Sequence, residues 1–255
     1  MIQVGDRWVM TDPMYSERFL GVMRRKAPLG FELADLPSPD LILLSHEHRD
    51  HMDFPSLRAL EGKADIAVPP GTHMRSLSFA SVHELGEWES VESSGIQLTA
   101  TPVQHWGGRF AVDGLWRHTF SGYVFSYQGW TVLFVGDSGY NAPLFEDIGR
   151  RYDIDLALIP VGPAGGPSFF RWFTKAPHAN PEEAMQIFTH TGAKWMVPIH
   201  HSTFYTVGPK ETESIETARA GHDQADDALV LSHGECVDFS RSEEPLRDRP
   251  PPLVE

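Results

Sequence analysis

The 255-residue chain has one cysteine, Cys236. No internal disulfide can form and no thiolate cage can hold an ion, so stability rests on packing and any metal must take nitrogen and oxygen ligands. A run of about eighteen apolar residues is missing too, which excludes a membrane-spanning helix. Basic residues are few: 21 Lys and Arg stand against 35 Asp and Glu, a formal net charge of -14. That balance argues against nucleic acid or anionic lipid surfaces as partners, because both are held by basic faces. The short clusters Arg24-Arg25-Lys26 and Arg150-Arg151 read as solvated surface. Met1-Ile2-Gln3-Val4-Gly5-Asp6 lacks the basic start, apolar middle and cleavage site of a secretory signal, so a cytoplasmic protein is expected. Self-association into a homo-oligomer stays open.

No repeat or low-complexity linker interrupts the chain before its end. One α/β domain is expected over residues 1–240, followed by a charged, proline-rich tail, 241–255, that should run irregularly. Strand-length apolar stretches bounded by Gly, Pro or Asp occur at Leu41–Leu44, Ile66–Val68, Ile96–Val103, Tyr123–Tyr127, Thr131–Val135, Leu156–Val161, Trp195–Ile199 and Ala228–Leu231. Gln128-Gly129 predicts a tight hairpin turn between two of them. Asn180-Pro181-Glu182-Glu183 predicts a helix start, with Asn as N-cap and Glu183 reaching back, ended by Gly192. Asp53-Phe54-Pro55 predicts another, running through Leu57 and Leu60 to Gly62. Strands and helices interleave, which points to layered sheets flanked by helices.

What the chain has in abundance is concentrated chemistry at one place. Ser45-His46-Glu47-His48-Arg49-Asp50-His51-Met52-Asp53 follows the apolar run Leu41–Leu44. His46 and His48, two apart in extended backbone, point to the same side and can grip one ion. Asp50 and His51 follow as the chain bends toward the helix, which turns them to a second ion. The remaining ligands should also lie at strand ends, and His105, Asp137 and His200 each follow a predicted strand, with Gly136 allowing close backbone approach. The expectation is His46, His48 and His105 on one ion, Asp50, His51 and His200 on the other, and Asp137 between them. Imidazole and carboxylate donors of this kind suit two zinc ions, with manganese or iron as alternative occupants. Asp50 at the position four after His46 excludes a His-Glu-x-x-His helix. His73, His83, His118, His190, His222 and His233 have no strand-end context and read as surface or core residues.

The His-x-His-x-Asp-His loop resembles the metallo-β-lactamase superfamily. Within it, the chain is similar to N-acylphosphatidylethanolamine phospholipase D and its bacterial relatives. The stretches that carry this are Thr11-Asp12-Pro13, the His46–His51 loop, Thr101-Pro102-Val103-Gln104-His105-Trp106, Gly136-Asp137-Ser138-Gly139-Tyr140, Arg171-Trp172-Phe173, His178-Ala179-Asn180-Pro181-Glu182-Glu183-Ala184 and Ile199-His200-His201-Ser202-Thr203-Phe204. The resemblance implies an αββα sandwich, two central sheets flanked by helices, with the metal pair at one edge and the same seven ligands. It adds an active-site role for His178. The long N-terminal extension of the mammalian phospholipase has no counterpart, so phospholipid specificity does not follow automatically.

Two divalent ions, offset by Asp50, Asp137 and a shared hydroxide, leave a centre that suits a phosphodiester monoanion. Metal binding lowers the pKa of a water to about 7 and supplies hydroxide at neutral pH. The leading expectation is a dinuclear phosphodiesterase of phospholipase D type acting on a small or lipid-like anionic substrate, with Asp50, Asp137 and His178 as catalytic candidates. The alternative is a lactonase, of the ascorbate-6-phosphate-lactone or acyl-homoserine-lactone kind, using the same centre. Arg109 is a candidate anion contact. Phe170 and Trp172, in Phe169-Phe170-Arg171-Trp172-Phe173, are candidate walls of an apolar substrate pocket.

Overall fold

The computed structural model describes residues 1–19, 21, 23–31, 35–74, 76–109, 117–162, 177–204, 211–239 and 246–248. The N-terminal half forms a five-stranded sheet. Its strands are β1 (Ile2–Val4), β2 (Arg7–Thr11), β5 (Leu41–Leu43), β6 (Asp65–Val68) and β7 (Val82–Glu84), in the order β1-β2-β5-β6-β7. A two-stranded ribbon, β3 (Arg18–Phe19) and β4 (Met23–Arg24), lies between β2 and β5 in sequence. The second sheet has six strands: β8 (Ser90–Ser93), β9 (Ile96–Thr101), β10 (Gly122–Tyr127), β11 (Trp130–Phe134), β12 (Leu156–Pro160) and β13 (Trp195–Ile199), in the order β13-β12-β11-β10-β9-β8.

Strand alternation dictates the layers. Leu41 and Leu43 face inward and pack with Leu98, Tyr123, Phe125, Phe134 and Leu158 of the six-stranded sheet, which joins the two sheets face to face. Ile42 and Leu44 point the other way, onto Leu57 and Leu60 of helix α1 (Phe54–Ala59) and its C-cap. On the far side of the second sheet, Val124, Leu133, Ala157 and Ile159 pack against helices α2 (Ala142–Arg151), α3 (Pro181–Thr191) and α4 (Glu211–Ala220) through Phe145, Ile148, Ile187, Phe188 and Ile215. Helix, sheet, sheet and helix layers follow in that order. Strands covered on both faces read as continuous apolar runs, and for that reason Leu41–Leu44 and Leu156–Val161 stand out in the sequence.

Local signals behave as their chemistry requires. Asp53 caps α1, its carboxylate accepting the backbone N–H of Ser56 at 3.3 Å. Asn180 and Glu183 form a reciprocal capping box at 2.8 and 3.0 Å, and Gly192 closes α3 in left-handed conformation. Gln128 and Gly129, both at positive φ, turn β10 into β11.

Three expectations need correction. Ala228–Leu231 is not a strand: Ala228 makes a single parallel bridge to Met196, and Leu229 N–H donates to Met196 O, before the turn at His233-Gly234. Ala228 and Leu229 are buried at the open edge of β13, and Val230 and Leu231 partly so, without extending the ladder. Within the tail expected to be irregular, β15 (Leu246–Asp248) pairs antiparallel with β14 (Cys236–Asp238). The basic clusters differ from a plain solvated face as well. Arg25 lies half-buried over the Phe204 ring, and Arg151 stacks on Trp88 while pairing with Asp147. No helix among the described residues is long and apolar enough to cross a membrane.

Candidate metal centre

Asp12, His46, His105, Asp137 and His200 stand just beyond the C-terminal ends of β2, β5, β9, β11 and β13. Strands β2 and β5 run parallel, as do β11, β12 and β13, and two antiparallel steps bring β9 into the direction of β11. The strands of each sheet therefore deliver their ends to one edge, where crevices form naturally. The bridge between His46 and Phe120, with Ser121 N–H donating to Ser45 O at 2.8 Å, ties the two sheets together there. Gly136 fits only because it lacks a Cβ: φ is +66, and an added carbon would lie 2.5 Å from the Ser45 Cβ.

Two donor groups result. In the first, His46 Nε2 lies 2.8 Å and His105 Nε2 3.3 Å from His48 Nδ1. In the second, Asp50 Oδ2 lies 3.8 Å from His51 Nε2 and 3.6 Å from His200 Nε2. Asp137 sits between the groups. Its Oδ2 is 3.2 Å from His51 Nε2, 3.8 Å from His46 Nε2 and 4.0 Å from His105 Nε2, while its Oδ1 is 3.6 Å from His200 Nε2. His178, just before α3, brings Nδ1 to 3.6 Å from Asp137 Oδ2 and stacks on the His200 ring.

The hydrogen bonds behind these rings fix which nitrogen faces the centre. His105 Nδ1–H donates to Pro177 O at 2.9 Å and His200 Nδ1–H to Gly162 O at 2.7 Å. His51 Nδ1–H donates to Asp12 Oδ2 at 2.6 Å. Ser45 gives its hydroxyl hydrogen to Asp12 Oδ2 and accepts from His46 Nδ1–H at 2.8 Å. Four Nε2 lone pairs are thereby aimed inward, the arrangement found where a second partner orients a metal-ligating histidine. Asp12 is not among the ligands that the sequence singles out. A lone Asp-Pro carries no metal spacing, and the strand that ends at Thr11 shows only in the fold.

These residues fit metal ions. Nitrogens about 2.0 to 2.1 Å from a tetrahedral ion lie about 3.3 Å apart, close to the separations in the first group. His51 Nε2, in the second, and Asp137 Oδ1, between the two, are buried without a hydrogen-bond partner, an arrangement that is costly unless a cation completes it. The electrostatics agree. Burial holds His48, His105 and His178 down at about 4, so their rings are neutral at pH 7 and carry lone pairs. Burial opposes charge on His51 and His200 as well, yet Asp137, with Asp12 and Asp50 nearby, raises both. Burial would raise Asp137, but His200 and His51 keep it well below the usual carboxylate range.

Arg109 lies with its guanidinium 4.3 Å over the Phe54 ring and donates to Met52 O at 3.0 Å, bracing the end of the His loop. Trp106, 40% exposed, sets its ring 4.5 Å from that of His48 at the rim. Phe170 and Trp172 lie outside the described residues. His73, His83, His118, His190, His222 and His233 are absent from the donor groups.

A family model for the beta-lactamase superfamily domain matches residues 7–201. The chain belongs to that superfamily. With two facing sheets and helices outside both, it has the metallo-β-lactamase fold, and its edge cluster of His and Asp is able to bind metal. The chain is 31% identical over 253 residues to the mitochondrial N-acyl-phosphatidylethanolamine-hydrolyzing phospholipase D of Saccharomyces cerevisiae, covering 90% of itself and 52% of the yeast protein. A UPF0173 metal-dependent hydrolase of Shouchella clausii is 26% identical, with 93% and 95% covered. Among solved structures, an isothiocyanate hydrolase from Delia radicum gut bacteria superposes with TM-score 0.71 at 20% identity, covering 91% of this chain and 93% of that one; this likeness concerns the fold. The chain spans about half the length of the phospholipase D and mycobacterial relatives it matches.

Proposed function

We propose that the protein is a dinuclear metal-dependent hydrolase, a phosphodiesterase of the phospholipase D type. The observation that carries the reading is the convergence of seven donors, His46, His48, Asp50, His51, His105, Asp137 and His200, from four chain segments at the shared edge of the two sheets, with their inward atoms oriented and partly unpartnered. Kinship with the yeast phospholipase D favours phosphodiesters among the substrates such a centre can serve.

In this reading His46, His48 and His105 hold one ion, Asp50, His51 and His200 the other, and Asp137 lies between them. Bound zinc, or manganese or iron, supplies a water acidic enough to attack at neutral pH and positive charge to oppose the charge developing on phosphorus. The protein does the rest. Asp12 keeps the His51 hydrogen on Nδ1, and the carbonyls of Pro177 and Gly162 do the same for His105 and His200. His178, neutral at pH 7 and buried beside Asp137, is placed to hydrogen-bond a phosphoryl oxygen or the leaving group. Trp106 offers apolar surface beside His48 for the non-reacting part of a lipid-like substrate.

The test is a substrate panel on metal-reconstituted protein, with chromogenic and acyl-bearing phosphodiesters set against lactones. Phosphodiester turnover abolished by chelation and restored by zinc is expected. Lactone turnover alone would move the protein to the alternative, since the same donors would serve attack on a lactone carbonyl.

A further inference from the structure

Glu47 separates His46 from His48, so alternation sends its side chain away from them. The side chain goes into the protein, where it has no exposed surface. A buried carboxylate needs partners, and Glu47 has them on both oxygens. Oε1 accepts the backbone N–H of His73 at 2.8 Å and lies 2.7 Å from His73 Nδ1. Arg117 Nη1 can only donate and is 3.0 Å from His73 Nε2, so the His73 hydrogen sits on Nδ1 and points at Glu47. Oε2 accepts the Thr119 hydroxyl at 3.1 Å and pairs with Arg117 Nη2 at 3.5 Å.

The network then reaches the loop that carries His105. Thr119 Oγ1, its hydrogen given to Glu47, accepts Gly108 N–H at 3.0 Å. Gly107 is packed so closely that a Cβ would lie 2.3 Å from Arg117 O and 2.7 Å from Thr119 N. Gly107-Gly108 directly follows His105-Trp106. The carboxylate between two donors of the first group is thus linked, through one hydroxyl and one closely packed glycine pair, to the segment holding the third.

We propose that Glu47 is a positioning residue whose buried carboxylate, acting through Thr119 and Gly107-Gly108, sets the distance of His105 from His46 and His48 and so the affinity of that donor group for its ion. The proposal rests on the two-ion reading above. Asp50, His51 and His200 reach their places by a helix-start bend and by β13, and the bonds of the Glu47 carboxylate, to His73, Thr119 and Arg117, go to neither, so the effect should fall chiefly on the first ion.

Metal-free wild type, Glu47→Gln, Thr119→Val and His105→Ala are titrated with cobalt(II), following visible absorption with chelator competition, and circular dichroism checks folding. His105→Ala identifies the spectral band of the first ion. Glu47→Gln should weaken that ion by about ten- to hundredfold, the usual cost of losing an outer partner, and leave the other within about threefold. Thr119→Val keeps volume and deletes only the hydroxyl link; it should weaken the same band and carries the test if Glu47→Gln does not fold. Equal weakening of both ions, or no change in folded variants, overturns the proposal while leaving the two-ion reading standing. A wild type that binds no cobalt overturns both.

Discussion

Replacing Asp12 by Asn removes the acceptor of two hydrogen bonds, those from His51 Nδ1–H and from the Ser45 hydroxyl, of which only the first comes directly from a donor of the centre. Asp12 has a left-handed φ of 37, a conformation Asn tolerates, so the backbone should keep its place. One amide oxygen can still accept Ser45 N–H, which Asp12 Oδ1 accepts at 2.7 Å. The amide NH2 then falls where Oδ2 faces His51 Nδ1–H at 2.6 Å, donor against donor. His51 must turn or move its hydrogen to Nε2, the atom that points at Asp137. Loss of such an outer partner costs about ten- to hundredfold in metal affinity, roughly 1.4 to 2.7 kcal/mol. The loss should fall on the ion held by Asp50, His51 and His200. Zinc competition against a calibrated chelator reads it directly. Affinities for both ions within about twofold of wild type, far below the usual outer-partner effect, would refute the tautomer argument.

Other consequences are equally open to measurement. His178→Ala should cut turnover while leaving zinc content intact; unchanged turnover removes His178 from the mechanism. Gly136→Ala, forced into positive φ against Ser45, should lose about 1 to 3 kcal/mol or more in denaturant unfolding, and an unchanged midpoint would contradict the close approach. Asp137, Asp12 and Asp50 raise the His51 pKa above its ordinary value against the effect of burial, whereas a metal ligand must be neutral. Metal binding should therefore release a proton, and the affinity of that site should rise with pH. Calorimetric heats that are identical in buffers of different ionisation enthalpy would show no such release.

The convergence was legible because strand ends carry it. A histidine or aspartate immediately past a buried apolar run has few bland explanations, and His105, Asp137 and His200 each met that description. Asp12 follows no strand-length apolar run in the sequence, and its partnership with His51 is a contact across 39 positions that spacing cannot reveal. Glu47 was hidden inside the motif, because a reading fixed on His46 and His48 treats the residue between them as filler. Helix α2 was missed for a different reason. Its Gly149, a weak helix former, lies where α2 meets α3 so closely that a Cβ would sit 2.6 Å from His190 O, a contact between segments that the sequence does not display. Ala228–Leu231 has strand composition, but one bridge to β13 is all its position permits.

The most direct test of the account is metal analysis of protein purified without chelator, joined to anomalous diffraction from its crystals. Two transition-metal ions per chain are expected, one among His46, His48 and His105 and one among Asp50, His51 and His200, with Asp137 between. No stoichiometric metal after reconstitution, or ions bound away from these side chains, would contradict it.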